Sequence, residues 1–163
     1  SFPVLPGYKP KNPALVEGLK HFRDAYRAWH LQCELPDHRE RTLIAMRKAV
    51  RAHPSDGNLW IQAGIVAFKM HEFKEAQGYF ENARARVLTK HIREVSGLYL
   101  ARCLDLAGER AKALELYGDK ERISEIADPI LRQALSRGRK RAYRAKETES
   151  MMVELQFPDT FHY

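Results

Sequence analysis

A pattern returns along this chain after 34 residues and again after 37, with small residues and aromatics at matching places. With Gly57 as position 1 of a unit, Trp60, Gly64, Phe73, Ala76, Phe80 and Ala83 fall at positions 4, 8, 17, 20, 24 and 27. A unit begun 34 residues earlier, at Arg23, places Tyr26 at 4, Met46 at 24, Ala49 at 27 and Pro54 at 32. One begun 37 residues later, at Glu94, places Leu100 at 7, Ala101 at 8, Gly108 at 15, Ala113 at 20 and Tyr117 at 24. A unit of this length is a single helical hairpin, too small to bury its own apolar face, so units must stack. The expected fold is all-α: a right-handed helical-hairpin solenoid of about three repeats, closed by a C-terminal capping helix.

Close packing of two short antiparallel helices explains the pattern. Small residues at positions 8, 20 and 27 let the backbones approach, and aromatics at 4 and 24 fill the wedge toward the next hairpin. At these residues the chain resembles the tetratricopeptide repeat (TPR) family, whose pattern sets Trp, Leu, Gly, Tyr, Ala, Phe, Ala and Pro at positions 4, 7, 8, 11, 20, 24, 27 and 32. The middle unit matches best. The first departs from the pattern at His30 and Thr42, the third at Gly97 and Lys120. The resemblance covers residues 23 to 125. The run Met46-Arg47-Lys48-Ala49-Val50, then Pro54 and Leu59-Trp60, also resembles the half-a-TPR variant of RNA-processing assemblies. The acidic residue that variant places after Trp60 is missing before Glu72.

Four prolines (Pro3, Pro6, Pro10, Pro13) make residues 1–13 an extended lead-in, because each fixes φ and removes an amide donor. Helical spacing of Leu15, Leu19, Phe22, Tyr26 and Trp29 predicts a first helix over 14–32. Asp37 is placed to cap the next, with Glu40 as its reciprocal partner, and that helix should end near Pro54. Further helices are expected over 57–70, 73–87, 91–107 and 109–117, with Gly118 ending the last. Residues 14–127 thus hold three TPR-like hairpins. Asp128-Pro129 restarts the chain as a capping helix through 149, and 150–163 form an apolar, aromatic tail.

Residues 129–146 contain seven basic residues (Arg132, Arg137, Arg139, Lys140, Arg141, Arg144, Lys146) and no acidic one. The rest of the chain carries 21 basic and 21 acidic groups, so this segment holds the whole net charge of +7. Such a stretch fits contact with nucleic-acid phosphate, docking on an acidic protein surface, nuclear import, or a solvated face.

A TPR-like fold would line a concave groove with positions 2, 5, 9, 12 and 13. These are Asn58, Ile61, Ile65, Phe68 and Lys69 in the middle unit, and Val95, Leu98, Arg102, Asp105 and Leu106 in the third. In the first unit Asp24, Arg27 and Leu31 hold such places. An apolar strip of this kind marks a binding site for a peptide or helix of a partner, unless a terminus of the chain fills it. The side chains by which some TPR domains grip a chaperone's C-terminal carboxylate are replaced here by Arg27, Leu31, Gln62, Val95 and Tyr99. A three-hairpin chain also resembles class II chaperones of type III secretion, which are commonly acidic. The expected role is therefore a non-catalytic adaptor or scaffold. The alternative is an RNA-associated scaffold acting through the basic helix.

No P-loop, GxSxG or dinucleotide fingerprint is present, so no enzyme and no cofactor are expected. The seven histidines lack metal-ligand spacing, and no metal site is expected. Cys33 and Cys103 read as packed free thiols, which together with the absence of CxxC suggests an intracellular protein, nuclear if 137–144 acts as an import signal. No apolar run reaches 18 residues, so no membrane partner is expected.

Overall fold

The computed structural model describes residues 17, 18, 20, 21, 23, 24 and 37–145. Helical residues 17, 18, 20, 21, 23 and 24 precede α1 (His38–Ala52), α2 (Gly57–Lys69), α3 (Phe73–Arg84), α4 (Lys90–Leu106), α5 (Arg110–Tyr117), α6 (Lys120–Ser124) and α7 (Pro129–Lys140). No strand occurs among the described residues. The chain is all-α. The lead-in over 1–13, the tail over 150–163 and most of the first helix lie outside the described residues.

Side-chain caps start most of these helices. Asp56 accepts the amide of Asn58, and Asp128 those of Ile130 and Leu131, with Pro129 at the first helical position. Thr89 and Asp119 cap α4 and α6 in the same way. The expected capping box at α1 does not form. Asp37 turns outward to accept from Arg41 Nε at 3.0 Å, an exposed i,i+4 pair.

The second and third units turn alike. His71 and Gly108, both at position 15, have φ of 61° and 79°. On either side of them Glu72 N donates to Ala67 O at 2.9 Å and Glu109 N to Leu104 O at 2.8 Å. Such 6→1 bonds close a helix whose next residue is left-handed. Gly64 shows why position 8 is small: a Cβ there would lie 2.6 Å from the ring of Phe80. Ala76, Ala83, Ala101 and Ala113 are likewise fully buried where helices cross.

Two differences from expectation matter for function. Gly118, at φ 86°, ends α5, and the chain makes the extra turn α6 before α7. The capping helix stops at Lys140, and Arg141 is extended (φ −149°, ψ 138°). The segment after it runs back onto the stack, because the Tyr143 amide reaches Asp105 Oδ2 at 2.9 Å.

Candidate functional site

The expected groove is not an open strip. Every residue from Ile61 to Phe68 is buried, and so is every residue from Val95 to Leu104. A helix buried on all sides is a core helix, not the floor of a trough. α2 is packed by α1, α3 and α4, while α4 is packed by α3, α5 and α7. Gly18 packs where α1 meets α2: a Cβ there would lie 2.6 Å from His53 Cβ and 3.3 Å from Leu59 Cδ1. Ile61, Ile65, Phe68, Val95 and Leu98 therefore serve the core in this conformation. Asn58 and Lys69 are half-buried, and Arg27 and Leu31 lie outside the described residues.

Arg102, expected among the groove residues, is only 3% exposed. Its guanidinium lies 4.8 Å from the ring centre of Tyr143 and 5.6 Å from that of Tyr99. Tyr143 also packs on Phe68, with ring centres 5.7 Å apart. The residues after α7 thus cover part of the surface that the repeat register leaves for a ligand.

Asp105 holds this strap. Its side chain is fully buried and accepts from Arg110 Nη1 at 3.0 Å through both oxygens. It also accepts the Tyr117 hydroxyl at 2.7 Å and the Tyr143 amide. Burial first, and then this carboxylate, push the Tyr117 hydroxyl far above its ordinary pKa. Arg110 Nη2 donates in turn to Arg139 O at 3.0 Å, tying the end of α7 to the same carboxylate. The repeat register sets Asp105 on the groove, but nothing in the sequence marks it as an anchor, since its three partners lie 5, 12 and 38 residues away.

The basic residues of α7 divide by face. Leu131, Ala134, Leu135 and Gly138 recur at i, i+3, i+4 and i+7 and are buried. A Cβ on Gly138 would overlap the Tyr117 ring. Arg137, Lys140, Arg141 and Arg144 are exposed. Arg132 and Arg139 are half-buried and spend a donor each on backbone carbonyls, Ile126 O at 2.6 Å and Gly118 O at 3.4 Å. Lys146 lies outside the described residues. The charge is therefore carried on a helix fixed to the core and on the strap after it, and four of its side chains face solvent.

Glu75 joins two helices. It takes Arg47 Nε at 2.7 Å and Nη2 at 2.9 Å as a bidentate pair, and the Tyr79 hydroxyl at 2.6 Å. The Arg47 guanidinium holds its carboxyl below the ordinary value, and burial pushes Tyr79 up to about 12.

Among the described residues no three His, Cys, Asp or Glu side chains group to hold a metal ion. No helix there is long and apolar enough to cross a membrane. Cys103 is a buried free thiol, pushed up to about 12 by burial, and Cys33 lies outside the described residues. Compared with known proteins, this chain is matched by no family model, no curated protein and no solved structure.

Proposed function

We propose that this chain is a non-catalytic adaptor or scaffold module, a TPR-like stack whose partner docks on the basic face of α7 and the segment that follows it. The observation that carries this reading is the amphipathic anchoring of α7. Leu131, Ala134, Leu135 and Gly138 seat one face in the core, so Arg137, Lys140, Arg141 and Arg144 are presented from a rigid support. A face held this way binds without the ordering cost that a loose basic tail would bear. The groove mode of binding is less favoured, because Ile61, Ile65, Val95 and Leu98 are already covered by the chain itself. The partner best suited to this face is an acidic protein surface.

A second reading, an RNA-associated scaffold, is favoured by the lack of any acidic residue over 129–146. One experiment separates the two. The wild type and an R137Q/K140Q/R141Q variant are used to capture partners from lysate, with and without nuclease. Protein partners that survive nuclease and are lost with the variant support the adaptor. Partners that vanish with nuclease support the RNA scaffold. Equal capture by the variant overturns the assignment of α7.

A further inference from the structure

Past Lys140 the chain reads Arg141-Ala142-Tyr143-Arg144-Ala145, mostly good helix formers, and a continued helix would carry Arg141 and Arg144 on along the axis of α7. They go elsewhere. Arg141 is extended, its amide closing α7 on Arg137 O at 3.0 Å. Over 141–145 only Tyr143 is buried, while Arg141, Ala142 and Arg144 are exposed. Leaving the helix gives up backbone hydrogen bonds, so contacts around Tyr143 must offset them.

Those contacts fix the chain on both sides of the bend. After it, the Tyr143 amide donates to Asp105 Oδ2 at 2.9 Å, and its ring lies 4.8 Å from the Arg102 guanidinium and 5.7 Å from the Phe68 ring. Before it, Arg139 O accepts from Arg110 Nη2 at 3.0 Å, and Arg110 Nη1 is held by the same Asp105 carboxylate. The Tyr117 hydroxyl takes a further place on that carboxylate, and the Tyr117 ring is what α7 meets at Gly138. Two main-chain points, Arg139 O and Tyr143 N, are thus both referred to one buried anion on α4.

Arg141 lies between these two ties, and Arg144 follows directly on the second. Their side chains leave a main chain whose course is already set, continuing the basic series from Arg137 and Lys140 on α7. Charges ordered before a ligand arrives lose less on binding than charges at the end of a loose chain. The segment has no counter-charge of its own, since 129–146 holds no acidic residue. A fixed set of positive charges is complemented by a fixed set of negative ones, as an acidic protein surface presents them.

We propose that Tyr143 and Asp105 are positioning residues for partner binding: they hold Arg141 and Arg144 in one rigid array with Arg137 and Lys140, and that array recognises an acidic protein surface. The inference rests on the reading of α7 and the segment after it as the docking face. Tyr143 and Asp105 are themselves covered, and act on the partner through the arginines they place.

The test is a double-mutant cycle read by fluorescence anisotropy of a labelled polyglutamate of about 20 residues at about 0.1 M salt. R141Q/R144Q should weaken binding roughly tenfold, and Y143A about three- to tenfold, because its two charges remain but must be ordered on binding. In the combined variant Y143A should cost nothing further, since no charge is left for it to place. Y143F keeps the ring and the amide and should bind as wild type does. A circular-dichroism melt accompanies each variant. A second variant leaves the core untouched: two glycines inserted between Tyr143 and Arg144 free that arginine from the latch and should weaken binding about two- to threefold, but not when Arg144 is already Gln. An equal loss from Y143A with and without Arg141 and Arg144, or no loss from the glycine insertion, would make Tyr143 a core residue only and overturn the inference. Loss in R137Q/K140Q with none in R141Q/R144Q would also overturn it, and would leave α7 standing as the docking face. Tighter binding of an RNA of about 20 nucleotides, lost through the same cycle, would overturn the acidic-protein assignment. A wild type that ignores polyglutamate at this salt overturns the inference, while the adaptor reading still stands or falls by partner capture.

Discussion

Gln62 presents a physical problem at the scale of one residue. Its side chain is fully buried on α2, and neither its amide oxygen nor its nitrogen has a hydrogen-bond partner among the described residues. Burial of a polar group without a partner costs about 1–3 kcal/mol in proteins. Methionine has nearly the same shape and no such debt. Gln62→Met is expected to raise the unfolding free energy by about 1 kcal/mol, read as a higher urea midpoint at unchanged slope. A lower midpoint would mean that the amide is satisfied in solution, by water or by a ligand. Glu75 poses the opposite case. Its folded pKa is depressed below the ordinary 4.5, chiefly by the hydrogen bonds from Arg47. A depressed carboxyl contributes stability that is present above the unfolded pKa and is lost as pH falls through the folded one. The Glu75→Gln variant should therefore be less stable than wild type near neutral pH by about 1 kcal/mol, discounted for a half-exposed pair. As pH falls below about 4 the two should converge. A constant gap across that range would show that packing, not charge, accounts for the loss.

At the scale of the helix, most of the architecture was legible. Gly and Ala at positions 8, 20 and 27 carry a steric message that needs no tertiary information, and Gly64 against Phe80 is its clearest expression. Asp56 and Asp128-Pro129 announced their helices because capping is local chemistry. Of the two failures, one was local in origin and the other was not. Asp37 met Arg41, a competitor one turn away, before Glu40. The end of α7 was misplaced because Arg139, Lys140 and Arg141 are good helix formers. The chain leaves the helix there for contacts with Asp105, 38 residues back from Tyr143, which no window along the sequence contains. The packing claim has a direct check. Gly64→Ala gains helix propensity, about 1 kcal/mol, but drives a methyl to 2.6 Å from a ring with no room to retreat. Overpacking of this kind costs about 1–3 kcal/mol, so a net loss near 1 kcal/mol is expected by thermal or urea unfolding. A stabilised variant would mean that α2 and α3 stand further apart than this geometry has them.

For the whole molecule, the decisive question is whether the centre is a core or a covered groove. The repeat register places Ile65 and Leu98 on a face that a stack of hairpins leaves to a partner. In this structure Ile65 is fully buried and Leu98 is 3% exposed. Arg102 and Phe68, which the same register sets beside them, lie under Tyr143. If that face is core, a carboxylate there must be buried without a partner. It then either stays charged at a cost of several kcal/mol or takes up a proton and still loses the packing. Domains of this size are stable by about 5–15 kcal/mol in total, so Ile65→Glu and Leu98→Glu should each melt far below wild type. The double variant should not fold cooperatively. The Cys103 thiol offers an independent reading, since it is 2% exposed beside this face on α4. With Cys33 replaced by serine, alkylation of Cys103 should be slow in the wild type and fast in either variant. Suppose instead that Ile65→Glu melts within a few degrees of wild type while Cys103 stays protected. The cover over α2 would then be displaceable at little cost, the introduced carboxylate would stand in water, and the groove would again be the place for a partner's helix.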